Sequence, residues 1–316
     1  DITVTPTTHE EMRTGCYDPT ARLADMDQGH IEAQLCFPSS FPRFCGQTFS
    51  ETKDKDLGLA CIEAYNNWMI EEWCADSNGR LMPLAIVPLW DPELAATELL
   101  RNVRRGVRAV TFSEIPAYLG LPSIHTEYWD PFFAACAEHG VSIHMHIGSS
   151  SKMPSTSPDA PALVASALTF GNAMSSMVDF MLSGVLVRFP ELQLAYSEGQ
   201  IGWIPYILER TDHVWEANRA WGDVGDSVPE PPSTYFHRQI YACFFEDEFG
   251  LTSEALNKIT PQRILFETDY PHSDSVWPET EATAQRLMGH LDQETVNLLC
   301  RGNAIKLLDL DLPVNP

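Results

Sequence analysis

The sequence predicts a parallel α/β fold, a (β/α)8 barrel, and three observations carry the prediction. Short apolar runs alternate with longer amphipathic segments along the chain. Those runs are hydrophobic nearly throughout rather than at every second position, as befits strands covered by helices on one face and by a barrel interior on the other. Several of them end on an acidic residue or a histidine, and the C-terminal tips of barrel strands are where functional groups collect. The 316 residues fit two ordinary domains or one large barrel. No internal repeat or low-complexity tract divides them, so residues 1–316 read as a single barrel domain.

Seven strands are expected, at 31–38, 81–89, 107–113, 141–147, 192–197, 238–245 and 264–268. Helical patterns cover 18–27, 57–74, 92–105 (opened by Asp91-Pro92), 131–138 and 204–220. A broken helix is expected within 159–187, and 278–288 and 293–308 close the chain. A closed barrel of this type has eight strands. The shortfall lies at the front, where Pro6 interrupts a poor strand over 1–8 and the helix at 18–27 has no strand before it. The first strand is therefore expected to be missing from this sequence. Two irregular stretches remain. The Ser- and Pro-rich 149–161 follows a strand tip, the usual place for a substrate-binding lid, and 222–233 reads as a surface connector.

Composition excludes some function classes. Lys and Arg number 20 against 44 Asp and Glu, a net charge of −24. Such a surface repels phosphate backbones and anionic headgroups, so nucleic acid and membrane are poor partners, and no apolar stretch reaches membrane-spanning length. The eight cysteines are scattered without a CxxC pair, and several lie in apolar runs. They read as reduced, mostly buried thiols of a cytoplasmic protein.

The chemistry gathers at the strand tips. His144 and His146 share one face of their strand, with His146 at the tip and His144 one layer below. Glu198 follows Tyr196-Ser197, Glu114 follows Phe112-Ser113, and Glu246, Asp247 and Glu248 follow Phe244-Phe245. Asp269 stands in Phe266-Glu267-Thr268-Asp269-Tyr270-Pro271-His272, where an apolar run ends on acids beside a turn-forming proline. One acidic tip is ordinary capping or solvation. Several in one sheet, with a histidine among them, describe a converging metal or acid–base site. No GxSxG elbow occurs, which weakens a serine nucleophile. Phe41, Phe44, Trp90, Tyr118, Trp203 and Trp277 lie near the tips and fit an apolar or cyclic small-molecule substrate, with core packing as the plainer role of each. Lys152 and Arg43 are candidates to meet a carboxylate or phosphate, against plain solvated charge.

These residues resemble the amidohydrolase superfamily, in the branch that includes aminocarboxymuconate-semialdehyde decarboxylase and aromatic-acid decarboxylases. The landmarks are Arg22–Asp27, Phe37-Pro38, His146-Ile147-Gly148, 197–205, Glu267–His272 and Gly302-Asn303-Ala304. The resemblance implies a (β/α)8 barrel with one or two divalent ions, in which His146 matches the metal-binding histidine of strand 5 and Asp269 the aspartate of strand 8. It also implies a homodimer. Two departures stand out. The metal-binding pair of the first strand is absent, and His9 lacks strand context. The tip of strand 6, which often presents a histidine, carries Glu198.

The expectation is a metal site built from His146, Asp269, Glu198 and Glu114, with Asp269 and Glu198 catalytic and His144, His272, Lys152, Arg43 and Trp203 toward the substrate. A carboxylate-rich set suits Fe or Mn at least as well as Zn. The leading function is metal-dependent hydrolysis or non-oxidative decarboxylation of a small organic substrate, with a cyclic compound or aromatic acid among the options. A non-haem, even di-iron, monooxygenase on the same barrel and a metal-free binding protein or pseudoenzyme are the alternatives.

Overall fold

The computed structural model describes residues 6–8, 10–38 and 41–312. Seven strands form one sheet in sequence order: β1 Gln34–Cys36, β2 Leu81–Ala85, β3 Ala109–Thr111, β4 Ser142–His146, β5 Leu194–Ser197, β6 Ile240–Phe244 and β7 Ile264–Phe266. Every neighbouring pair is parallel, with His146 level with Ser197 on the β4–β5 ladder and Phe244 level with Phe266 on β6–β7. All seven expected strands are present, and parallel pairing puts their C-terminal tips at one end. His9 and residues 1–5 lie outside the described part.

The helices follow the strands as α1 Pro19–Gln28, α2 Gln47–Glu51, α3 Lys55–Trp68, α4 Pro92–Val103, α5 Asp130–Glu138, α6 Ala162–Ala167, α7 Gly171–Leu182, α8 Val185–Arg188, α9 Ile204–Asn218, α10 Pro232–Gln239, α11 Ser253–Ile259, α12 Thr280–Met288, α13 Gln293–Asn297 and α14 Asn303–Leu307. Their starts are legible in the sequence. Asp91 accepts from the Glu93 and Leu94 amides at 3.0 Å, with Pro92 in the first turn of α4. Asp18 does the same for α1 through Ala21. The helix expected over 159–187 breaks into α6, α7 and α8, the last break falling at Gly184 with φ of +78°.

One boundary is corrected. Residues 232–233 were expected as connector and 238–239 as strand, but 232–239 form α10, and β6 starts only at Ile240. The buried positions Pro232, Tyr235, Phe236 and Gln239 recur at helical spacing, while Pro231-Pro232 reads as a turn unless the second proline opens a helix.

The core lies mainly between sheet and helices, where Phe112, Phe132, Phe133 and Phe180 are fully buried. Each such side chain contributes about 1.5–3 kcal/mol by leaving water. Inside the barrel, Ala195, Tyr241, Cys243 and Leu265 pack on Leu307, and Leu84 and Ala109 pack on Leu308. The C-terminal segment therefore fills the lumen beneath the tips. Asn303 fixes that segment by donating to the carbonyls of Pro261 and Ile264 at 2.8 and 2.7 Å, so the Gly-Asn-Ala landmark is structural.

Candidate active site

β4 carries His144 and His146 into the barrel. His144 is buried, level with Ala195 on β5, and its Nε2 lies 2.9 Å from the Ser142 hydroxyl. Burial drives its pKa down to about 3, so it is a neutral interior residue beneath the site. His146 sits one layer higher. Its Nδ1 lies 2.6 Å from the Ile147 carbonyl oxygen, which can only accept, so Nδ1 carries a proton and Nε2 faces the site. Phe44 stacks on the ring at 3.9 Å between centroids and Phe37 meets it edge-on at 5.2 Å. These two aromatics fix the imidazole plane.

Nε2 of His146 contacts Glu198 Oε1 at 2.5 Å. Glu198 ends β5 in the left-handed region, with φ of +59°, and Asp269 after β7 does likewise at +56°. Two non-glycine residues in that sparse region, after β5 and β7 on either side of β6, bring both carboxylates together. Donor atoms of Glu198, Asp269 and His272 all lie within 4.8 Å of one another. His272 Nδ1 lies 2.7 Å from Asp269 Oδ2, and its ring is largely exposed.

The electrostatics follow from crowding. Burial, then the neighbouring Glu198 charge, pushes the Asp269 carboxyl up to about 7, against the opposing pull of His272. Burial also raises Glu198, but the hydrogen bond and charge of His146 outweigh it and hold Glu198 below the usual carboxylate range. For His146 burial disfavours the cation, and Glu198 outweighs that too, raising the imidazole. A pair of adjacent buried carboxylates, one unable to ionise freely, is a donor set that a divalent cation relieves. Among the described residues the donor atoms close enough together to share an ion are those of Glu198, Asp269 and His272, and His146 Nε2 meets the same Glu198 carboxylate.

The other expected site residues have partners of their own. Glu114 is buried and serves the loop after β4: its Oε1 accepts from the Gly148 amide at 3.2 Å, the Ser150 hydroxyl at 2.8 Å and the Asn172 amide at 3.3 Å. Arg43 pairs with Glu51. Lys152 sets its ammonium 4.5 Å above the Tyr118 ring, and Trp203 donates to the Gly199 carbonyl at 2.7 Å. At the β6 tip, Asp247 accepts from the amides of Ile201, Gly202 and Gly250, while Glu246 and Glu248 pair with Arg286. Sequence reasoning passed over Glu267, whose Oε1 accepts from the Glu198 amide at 2.6 Å. Its position two before Asp269, on a strand where i and i+2 share a face, was the available signal.

The loop that carries Asp269 is tied to α1. Tyr270 donates to Asp25, which also accepts a forked contact from Arg13 at 2.8 and 2.5 Å, and the Trp277 indole donates to the Asp25 carbonyl at 2.8 Å. Arg22 lies 4.7 Å over the Tyr270 ring and bonds Gln34 of β1 at 3.0 Å. Arg22–Asp27, a landmark in the sequence, thus anchors the segment after β7.

Comparison with known proteins shows the family and the fold. The sequence profile of the amidohydrolase family matches residues 2–310. A gamma-resorcylate decarboxylase of Rhodococcus jostii is 27% identical over 273 residues, covering 79% of this chain and 76% of the relative. An amidohydrolase structure from Mycobacterium avium subsp. paratuberculosis superposes with a TM-score of 0.74 at 23% identity, covering 93% of this chain and 74% of the other. A dihydroxybenzoic acid decarboxylase from a Polaromonas species, solved with manganese and 2-nitroresorcinol, superposes at 0.69 with 20% identity, covering 94% and 87%. The seven-stranded sheet is that of an amidohydrolase (β/α)8 barrel, and the chain belongs to the amidohydrolase family.

Proposed function

We propose that this protein is a divalent-metal-dependent enzyme that removes a carboxylate, without oxidation, from a small aromatic acid. The observation that carries the reading is the close group of Glu198, Asp269 and His272, with His146 in contact with Glu198 and Asp269 pushed up to about 7. Its support from outside is that the Rhodococcus relative is a gamma-resorcylate decarboxylase and the Polaromonas neighbour holds manganese. His146, Glu198 and Asp269 would hold the ion, which when bound supplies a Lewis acid for substrate oxygens.

The remaining work belongs to the chain's own groups. Decarboxylation breaks the bond between ring and carboxylate, releases carbon dioxide and places one proton on the ring carbon. A bound ion displaces the proton that Asp269 holds in the metal-free chain, so the proton for the ring has to reach this carboxylate again once substrate is in place. His272, bonded to Oδ2 and open to solvent, brings it from water, and Asp269 delivers it to the ring. Phe37 and Phe44 stand beside His146, an apolar wall against which an aromatic ring packs and from which water is excluded.

The test is a product assay on manganese-loaded protein with 2,6-dihydroxybenzoate and related hydroxybenzoates. Carbon dioxide and the decarboxylated phenol should appear in equal amounts without oxygen uptake. Turnover of an ester or amide panel with no carbon dioxide from any aromatic acid would replace this reading with hydrolysis. Substrate-dependent oxygen uptake by iron-loaded protein would replace it with oxygenation.

A further inference from the structure

Glu267 is a carboxylate at the tips that stands outside the close group of Glu198, Asp269 and His272. It follows β7, yet its Oε1 accepts from the backbone amide of Glu198, which ends β5, at 2.6 Å. β6 lies between these strands, so the side chain reaches across the tip of a whole strand. Backbone pairing sets its starting point, because the Glu267 amide donates to the Phe244 carbonyl of β6 at 2.9 Å. On β6 the small, buried Cys243 lies in the interior, level with Leu265, two residues before Glu267. A larger residue at that position would occupy the path.

The Glu198 amide is an informative place for such a bond. Glu198 has a φ of +59°, a conformation that side-chain-bearing residues hold only when their surroundings impose it. In that conformation its carboxylate reaches His146 at 2.5 Å. We infer that Glu267 is a positioning residue: by accepting from the Glu198 amide across β6 it holds Glu198 in the left-handed turn that aims its carboxylate at His146 and Asp269. This inference rests on the proposed metal-dependent reaction only for its consequence in turnover; the positioning itself is a property of the folded chain.

Three variants test it. Glu267→Gln keeps an acceptor oxygen at the same reach, Glu267→Met keeps the length and loses the acceptor, and Cys243→Leu blocks the crossing from the other side. The primary readout is hydrogen–deuterium exchange at the Glu198 amide in chelator-treated protein, which needs neither metal nor substrate. Exchange should quicken by about tenfold or more in Glu267→Met and in Cys243→Leu and stay within about threefold of the parent in Glu267→Gln. Manganese affinity, measured by titration calorimetry, should fall about 10- to 100-fold in the Met variant and recover in the Gln variant. On turnover the Met variant should lose kcat with little change in KM.

Unchanged protection of the Glu198 amide in Glu267→Met overturns the inference, whatever reaction the protein performs. Glu267→Gln failing as badly as Glu267→Met in manganese binding also overturns it, because the charge rather than the hydrogen bond would then matter. Loss of protection in a protein that releases no carbon dioxide supports the positioning role and defeats the decarboxylase reading, so the two fail separately.

Discussion

Asp269 and Glu198 press two carboxylates together where little water reaches, and the consequences are measurable at single residues. The Asp269 pKa of about 7 lies above its ordinary value of 3.8, so the folded chain binds this proton more tightly than the unfolded chain. The sign follows. In metal-free protein Asp269 destabilises the fold fully above pH 7, and the penalty fades as pH falls toward 4. Asp269→Asn should therefore stabilise metal-free protein at pH 8 by on the order of 2–4 kcal/mol and do almost nothing at pH 4, read by urea unfolding at both pH values. The same variant in manganese-loaded protein should lose about a thousandfold in kcat, because the amide neither delivers nor accepts the proton. Glu198, His146 and Asp269 were legible as candidates because acids and a histidine at the ends of apolar runs have few plainer reasons to recur. Glu267 was not, since its bond to the Glu198 amide depends on how the sheet curves across β6, which no local pattern records.

Elements place those residues, and their placement depends on contacts far apart in sequence. The loop after β7 holds Asp269 and His272, and Asp25 of α1 gathers Tyr270, Trp277 and Arg13 around it. Removing that acceptor leaves a tyrosine hydroxyl and a guanidinium without their partner. Asp25→Ala should cost about 2–3 kcal/mol of stability in equilibrium unfolding and lower turnover by loosening the loop, while Asp25→Asn should fall between it and the parent. The strands were readable from the sequence because they are short and apolar throughout. Helix α10 was not, since its prolines close the expected connector and its last residues, Arg238 and Gln239, read as the start of the strand. Arg43 and Glu114 illustrate the same gap at the level of loops. Both residue types suit a site, and only the fold shows that Glu51 takes the first and the loop after β4 takes the second.

Across the whole molecule, 24 net negative charges surround a site that is itself acidic. A divalent cation is drawn to such a field, and its binding must displace the protons that Asp269 and His146 hold. Manganese affinity should therefore rise between pH 6 and pH 8, with protons released on binding at the lower pH, as calorimetry in buffers of different ionisation enthalpy would show. Saturation at a thousand times Kd should add about 4 kcal/mol to stability, and chelation should remove it. Among the described residues no helix is long and apolar enough to cross a membrane. The central claim is that carbon–carbon bond cleavage is completed by a proton delivered to the ring, and the reaction run in deuterium oxide tests it most directly. The phenol formed from 2,6-dihydroxybenzoate should carry one deuterium at the carbon that bore the carboxylate and no added oxygen. A product with an oxygen newly bound to that carbon, or a substrate left with its carboxylate in place, would contradict it.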